Sequence, residues 1–227
     1  MISDQTEMTI PRQRSIFDVG KLILILGSMC SGKTTRGLNI VRLYSEFLKC
    51  NCLYIESEKS KRLTKSGDEV VTTHNPHYNP DDKIKRIRTD LLSNVELRDD
   101  FNSMDVIMID EQQNYPDLNF TVRKWVLELD KLIVMPALSG DFKLELIGDA
   151  HLLIPIASEI IHCTDAICSL CLQESKNIDP SKIIAYFTIR LGNQTEQKIA
   201  GGTDMYMPVC MRHRVMLLHS QKDQMLN

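Results

Sequence analysis

The sequence predicts an α/β fold, in which a parallel sheet is covered by helices on both faces. Short continuous apolar runs, which suit buried strands, alternate with stretches whose apolar residues recur at helical spacing. No turn signal joins two of these runs into a hairpin, so crossover connections have to link the strands. The chain has 227 residues, which is enough for one sizeable domain with a small appendage. Together these observations favour a parallel sheet with helices on either side.

The predicted elements follow one another from residue 21 to about residue 163. Apolar runs predict buried strands at KLILIL (residues 21–26), CLYIE (52–56), DVIMID (105–110) and KLIVMPAL (131–138). Helical spacing predicts one helix over residues 34–48, another over 118–129 and a further helical segment over 91–101. Residues 56–83 are polar and rich in turn signals, and a loop of that length is often functional. A β-rich stretch, KIIAYFTIRL (182–191), lies beyond the alternating part.

Composition and charge argue against several classes of protein. The chain is 43% hydrophobic and 25% charged, as is typical of a globular protein. Its net charge of −3 provides no basic field that would attract nucleic acid or anionic lipid. No apolar stretch reaches the ~18 residues that span a bilayer, and residues 1–15 do not resemble a signal peptide. We therefore expect a cytoplasmic protein that binds neither nucleic acid nor membranes, with its seven cysteines reduced.

The stretch GSMCSGKTT, residues 27–35, matches the phosphate-loop pattern G-x-x-x-x-G-K-[ST] between a strand and a helix. Glycines at the loop ends allow backbone N–H groups to face a phosphate, Lys33 reaches the terminal phosphates, and the Thr34 hydroxyl is a ligand for Mg²⁺. The positive end of the helix dipole adds to this attraction. A plain strand-turn-helix is the alternative. The predicted phosphate-binding residues are Gly27, Ser28, Met29, Cys30, Ser31, Gly32, Lys33, Thr34 and Thr35.

Two acids follow the predicted strand in VIMIDEQQ, residues 106–113. Asp110 would lie at the carboxyl edge of the sheet, where open α/β sheets bind ligands, and could hold Mg²⁺ directly or through water. Glu111 is placed to accept a proton from an attacking hydroxyl. The alternative is that both acids simply end a strand in solvent. The two motifs together predict a nucleoside triphosphate with Mg²⁺, and they leave the acceptor open.

Cysteine spacing predicts a metal site near the carboxyl end of the chain. Cys168 and Cys171 form C-x2-C, and Cys210 and His213 form C-x2-H, a set of four ligands that suits tetrahedral structural zinc. The alternative is that these cysteines are reduced and bind no metal. Because a closed four-ligand site leaves no open position for chemistry, this zinc would hold a segment in place and would not catalyse.

Six ordered stretches of the chain resemble the type II thymidine kinases, the zinc-containing group that includes cellular cytosolic and many viral enzymes. The resemblance extends from about Leu22 to His213, over GSMCSGKTT, IDEQQNYPD, ALSGDF, CSLC, TIRLG and IAGGTDMYMPVCMRH. It implies a RecA-like P-loop domain at residues 21–163, followed by a small zinc-binding lasso domain at 164–215. A flexible amino-terminal arm (1–20) and a carboxyl-terminal tail (216–227) would flank these domains.

The resemblance also implies the reaction, the site residues and the partners. ATP would phosphorylate the 5′-hydroxyl of thymidine to give dTMP and ADP, with deoxyuridine as a further acceptor that the sequence leaves open. Glu111 would be the general base, and Arg190 and, in a looser alignment, Arg62 would occupy basic positions of the family. A homotetramer, or else a dimer, and feedback inhibition by dTTP are further implications. By motif position, the nucleoside-binding residues would be Met29, Gln113, Leu138, Phe142, Thr188, Ile199, Gly201 and Tyr206.

Three places depart from the family pattern, and they affect the predicted substrate pocket and the region next to it. Asn114 replaces an aromatic residue, Ser139 replaces an aspartate, and KLELI (143–147) replaces a basic run. Alternative functions are a nucleoside monophosphate kinase with a zinc-held lid and an ATP-dependent, zinc-containing nucleic-acid-binding protein. A kinase fold that binds nucleotides without turnover is a further alternative.

Overall fold

The main sheet is built from parallel strands, as the alternation of strands and helices predicts. A computed structural model describes residues 19–60, 62–63, 69–70, 83–174, 179, 183–191 and 205–225. The strands are β1 (Lys21–Gly27), β2 (Cys52–Glu56), β3 (Arg62–Leu63), β4 (Glu69–Val70), β5 (Lys85–Arg88), β6 (Val106–Ile109), β7 (Leu132–Leu138), β8 (Glu159–His162), β9 (Phe187–Arg190) and β10 (Tyr206–Val209). The α-helices are α1 (Lys33–Leu48), α2 (Leu118–Leu127), α3 (Ser169–Glu174) and α4 (Met211–Met225).

Within the described residues, the main sheet has six strands in the order β5-β2-β6-β7-β1-β8. Every neighbouring pair in this sheet is parallel. Two short antiparallel pairs lie outside it, one between β3 and β4 and the other between β9 and β10. The loops that follow β1 and β6 therefore leave the sheet at the same edge, the edge formed by the carboxyl ends of the strands.

Each face of the sheet packs against a helix and buries its own apolar cluster. Alternation along β2 directs Leu53 and Ile55 to one face, where they join Trp125 of α2. Cys52 and Tyr54 belong to the other face, which is covered by α1. A smaller buried cluster lies outside the sheet and consists, among the described residues, of Ala166, Cys168, Cys171, Ile183, Ala185 and Val209. The predicted α/β class with helices on both faces is therefore confirmed.

The segment predicted to be helical at 91–101 forms two short 3₁₀ helices, Leu92–Leu97 and Phe101–Ser103, and no α-helix. Side chains from other elements hold both of its ends. The Asp117 carboxylate accepts the N–H groups of Leu92 and Ser93 at 3.1 and 2.8 Å. The Lys131 ammonium donates to backbone carbonyls around the second 3₁₀ helix, including that of Met104 at 2.6 Å. These tertiary contacts favour short turns over a continuous helix.

Strands β5 and β8, which the sequence did not predict, form the two edges of the main sheet. Edge strands bury less surface, and the charged KRIR sequence of β5 has no continuous apolar run. The predicted β-rich stretch 182–191 is a strand only over Phe187–Arg190 in its described part. None of the helices in the described part of the chain has the length and apolarity needed to cross a bilayer.

Candidate active site

The phosphate loop follows β1 and leads directly into α1, so it lies at the carboxyl edge of the sheet. Cys30 and Gly32 have left-handed φ values of 62° and 78°, which turn the loop back towards the start of the helix. The Ser31 hydroxyl and the Lys33 ammonium both donate to the Ser28 carbonyl, at 2.9 and 2.6 Å. A side chain in place of Gly27 would lie 2.4 Å from the Ser31 hydroxyl oxygen. The loop is thus tightly closed around its own backbone.

Lys33 lies among the acids of the site. Burial lowers the pKa of its ammonium group, and the nearby charges of Glu111 and Asp110 partly offset this effect. Charges in such a partly desolvated region interact more strongly than they would in water. The ammonium is therefore well suited to neutralise a bound phosphate.

Asp110 follows β6 and is held by contacts to both carboxylate oxygens. Its Oδ1 accepts the Glu111 N–H at 3.0 Å and faces the Thr34 hydroxyl at 3.4 Å. Its Oδ2 accepts the Tyr54 hydroxyl at 2.9 Å. Burial, and secondarily the charge of Glu111, raises the pKa of Asp110 to about 6. Burial also raises the pKa of Tyr54 well above its ordinary value, so the phenol keeps its proton and is the donor.

Glu111 occupies the turn that leaves β6, with a left-handed φ of 50°. The Gln113 amide donates to Glu111 Oε2 at 2.5 Å, which fixes one carboxylate oxygen. The 3₁₀ helix that contains Gln113, Gln112–Asn114, starts immediately after the acid. The predicted base and the predicted Gln are thus brought into direct contact.

The nucleoside residues predicted from the resemblance lie in two contacting groups. Thr188 Oγ1 accepts the Met29 N–H at 3.0 Å, which ties β9 to the phosphate loop. The Arg190 guanidinium lies 4.0 Å from the Phe142 ring centroid and 5.0 Å from that of Tyr206. Arg190 also donates to the Tyr206 hydroxyl at 2.5 Å.

The other predicted nucleoside residues are only partly placed. Leu138 is the last residue of β7 and pairs with Gly27 in the sheet register. Ile199 and Gly201 lie outside the described residues. The backbone of Arg62 is described as part of β3, but its side chain is not. That Leu138, Ile199 and Gly201 share a pocket with Met29 therefore stays a prediction, as does the match of Arg62 to a basic position of the family.

The four predicted zinc ligands converge, with their ligand atoms all within 4.8 Å of one another. The Sγ atoms of Cys171 and Cys210 are 3.8 Å apart, and His213 Nδ1 lies 3.3 to 3.5 Å from the three sulfurs. Tetrahedral zinc, with bonds of ~2.3 Å to sulfur and ~2.0 Å to nitrogen, places sulfurs ~3.8 Å apart and sulfur and nitrogen ~3.5 Å apart. The donor set and its spacing therefore fit zinc.

Three supporting residues were missed by the sequence analysis. Tyr54 contacts Asp110 from a neighbouring strand, and Glu174 Oε1 lies 2.8 Å from His213 Nε2. A carboxylate on the outer nitrogen of a metal-binding histidine fixes its tautomer. Buried Arg214 donates to the Phe142 carbonyl at 2.8 Å. Glu174 lies three residues after Cys171, but each of the three contacts joins residues that are far apart in the chain and depends on tertiary packing.

Comparisons with known proteins identify the family of the chain. A family model described as thymidine kinase matches residues 20–214. A thymidine kinase of Oryza sativa subsp. japonica is 31% identical over 196 residues, which cover 86% of this chain and 66% of the rice protein. A thymidine kinase of Myxoma virus (strain Lausanne) is 31% identical over 194 residues, which cover 85% of this chain and 95% of the viral protein. With matches of this extent in a chain that carries a closed phosphate loop, the protein belongs to the thymidine kinase family.

Proposed function

We propose that the protein transfers the γ-phosphoryl group of ATP to the 5′-hydroxyl of thymidine, giving dTMP and ADP. The observation that best supports this reaction is the 3.4 Å approach of Thr34 Oγ1 to Asp110 Oδ1, directly beside Glu111. Phosphoryl transfer depends mainly on positioning and charge neutralisation. These three side chains would position Mg²⁺ and the attacking hydroxyl, and Lys33 together with that ion would neutralise the phosphates. The names of the related proteins indicate thymidine as the acceptor.

Thr34 and Asp110 would hold Mg²⁺, since both offer the oxygen donors that this ion prefers. The ion would neutralise charge on the phosphates. Lys33, which now donates to the Ser28 carbonyl, would turn to the terminal phosphates. Backbone N–H groups of residues 27–35 would bind the remaining phosphate oxygens.

Glu111 would act as the general base. Its carboxylate would accept the proton of the 5′-hydroxyl as that oxygen bonds to the γ-phosphorus and the bond to ADP breaks. Gln113 supports this role, because its amide donates to Glu111 Oε2 and restrains the orientation of the carboxylate. The strained left-handed backbone at Glu111 is also common at catalytic turns.

The nucleoside would bind against Met29, Gln113, Leu138, Phe142, Thr188 and Tyr206, and Ile199 and Gly201 would close over it. Structural Zn²⁺ on Cys168, Cys171, Cys210 and His213 would keep the lasso domain, residues 164–215, in position beside the P-loop domain. We further propose a cytoplasmic homotetramer, or else a dimer, that is inhibited by dTTP. Neither nucleic acid nor a membrane is a proposed partner.

A coupled assay of ADP formation tests the reaction directly. Thymidine, deoxyuridine, deoxycytidine and thymidine monophosphate are compared as acceptors with Mg²⁺ and ATP. We expect turnover with thymidine, and a ~10²–10⁴-fold lower kcat for Glu111→Gln, as is typical of the loss of a general base. Glu128→Gln, an exposed acid after α2, is the matched control. Turnover with the monophosphate alone would contradict the proposal.

A further inference from the structure

Tyr54 contacts Asp110 at the carboxyl edge of the sheet. It lies in β2, is 2% exposed, and donates its hydroxyl proton to Asp110 Oδ2 at 2.9 Å. The other oxygen, Oδ1, faces Thr34 and accepts the Glu111 N–H. The two carboxylate oxygens therefore have different partners: Oδ2 accepts the Tyr54 hydroxyl, and Oδ1 faces Thr34.

The strand register explains why this contact forms. β2 and β6 are parallel neighbours, with Tyr54 opposite Met108, and the Asp110 N–H donates to the Ile55 carbonyl at 3.1 Å. Side chains alternate between the faces of a strand, so Asp110 points to the same face as Met108 and Tyr54. This is the face that α1 covers, and Thr34 lies in the first turn of that helix. A phenol is long enough to reach from its strand position to the carboxylate beyond the strand end.

The tyrosine ring itself is held in a fixed position. It belongs to the buried cluster beneath α1, and the Arg86 guanidinium carbon lies 5.2 Å from its centroid. Such a cation–π contact restrains the ring on its β5 side. A side chain that is packed in this way can orient a neighbour, because it has little freedom to follow that neighbour if it moves.

We propose that Tyr54 is a positioning residue for the Mg²⁺ site: its hydroxyl holds Asp110 Oδ2 so that Oδ1 stays turned towards Thr34. This inference rests on the proposed function, in which Thr34 and Asp110 hold the ion. Partners that hydrogen-bond to a metal-binding carboxylate typically change metal affinity or activity by about 10–100-fold when they are removed. Tyr54 acts through Asp110 and does not contact the substrates in this arrangement.

The test is Tyr54→Phe, which removes the hydroxyl and retains the packed ring. Mn²⁺ binding is measured by electron paramagnetic resonance in the presence of a non-hydrolysable ATP analogue. We expect the Mn²⁺ dissociation constant to rise by about tenfold. Binding of the analogue without metal should stay unchanged, a split that a general loss of structure would not produce. An unchanged Mn²⁺ dissociation constant would overturn the inference.

Tyr115→Phe is the matched control. Tyr115 is also buried, and its hydroxyl makes no hydrogen bond within the described part of the chain. Its removal should leave Mn²⁺ binding unchanged, and an equal loss in both variants would overturn the specific role of Tyr54. In the Asp110→Asn background, Tyr54→Phe should have little further effect, because the two changes act on one interaction. Additive losses would also overturn the inference.

The same experiment separates this inference from the proposed reaction. If the parent protein binds Mn²⁺ with the nucleotide but does not phosphorylate thymidine, and Tyr54→Phe weakens Mn²⁺ binding, the reaction fails and the role of Tyr54 is retained. If thymidine turnover is present and Tyr54→Phe binds Mn²⁺ normally, the reaction is retained and the inference fails. If the parent shows no metal-dependent nucleotide binding, both are overturned.

Discussion

The phosphate side and the nucleoside side of the candidate site are held together by different forces. The phosphate loop and the two acids extend from β1 and β6, whose side chains lie in large apolar clusters on both faces of the sheet. Thr188 and Tyr206 lie on β9 and β10, which pair only with each other in the described structure and pack on a small cluster. That small cluster includes two of the four proposed zinc ligands. From this difference we expect hydrophobic burial to position the phosphate side, and the proposed zinc to position the nucleoside side.

Hydrogen bonds connect these sides. The Ser28 hydroxyl donates to the Ala185 carbonyl at 3.0 Å, and the Met29 N–H donates to Thr188 Oγ1 at 3.0 Å. Both donors belong to the phosphate loop, and both acceptors belong to the segment around β9. The two sides can therefore be perturbed separately, and the effect of one on the other can be measured.

Loss of the proposed zinc should give the largest difference between the two sides, since it should impair the nucleoside side and leave the sheet folded. We expect Cys171→Ser to lose the bound metal and thymidine turnover, while the sheet still unfolds cooperatively, because zinc supplies much of the folding energy of small metal-held segments. Metal analysis, the turnover assay and urea unfolding monitored by circular dichroism check this. Cys50→Ser, at a buried cysteine beneath α1, should retain about one equivalent of zinc. Less than half an equivalent in the parent protein would contradict the zinc assignment.

Trp125→Ala should have the opposite effect: it should destabilise the sheet and leave the zinc content unchanged. This side chain is fully buried on the sheet face covered by α2, and its removal should lower the free energy of unfolding by about 3–5 kcal/mol. Zinc content should be unchanged, since the cysteine cluster lies elsewhere. Phe120→Ala, at a residue of the same helix that is 76% exposed, should change the free energy of unfolding by less than about 0.5 kcal/mol. Equal effects of the two substitutions in urea unfolding would argue against the described packing of α2.

Arg214→Met tests whether the segment that carries the proposed zinc ligands supports the nucleoside residues. Arg214 directly follows the proposed ligand His213. The substitution removes a buried charged donor to the Phe142 carbonyl, a type of hydrogen bond that contributes about 1.5–3 kcal/mol. We expect the KM for thymidine to rise by at least about tenfold and the KM for ATP to stay constant. Arg98→Met, at a surface ion pair, serves as the control. A matching rise in both KM values would indicate a general loss of structure.

Ser28→Ala should have the smallest effect, because it removes one neutral hydrogen bond between the two sides. The expected loss is about 0.5–1.5 kcal/mol in the free energy of unfolding, measured in urea. Ser93→Ala, at an exposed position, is the control and should be neutral within about 0.5 kcal/mol. A neutral Ser28→Ala would mean that the link to Ala185 contributes nothing to stability.

The sequence predicted the parts of the molecule that local patterns encode. The strand-loop-helix around Lys33 has a fixed spacing and a continuous apolar run, and the proposed zinc ligands have two short, paired spacings. Edge strand β5 was missed because its four residues are mostly charged. The contacts of Tyr54 with Asp110 and of Arg214 with Phe142 were missed because each joins residues that are more than 50 positions apart in the chain. Only the lateral order of the strands and the packing of α4 bring these pairs together.

The hydrogen bond from the Met29 N–H to Thr188 has a consequence for the thermodynamics of binding. One N–H group of the phosphate loop is already held by a residue of the proposed nucleoside side. If an occupant of that side displaces Thr188, it must also change the loop that is proposed to bind ATP. By linkage, each substrate would then alter the affinity for the other by the same factor. A single hydroxyl group would thus make the two binding equilibria cooperative.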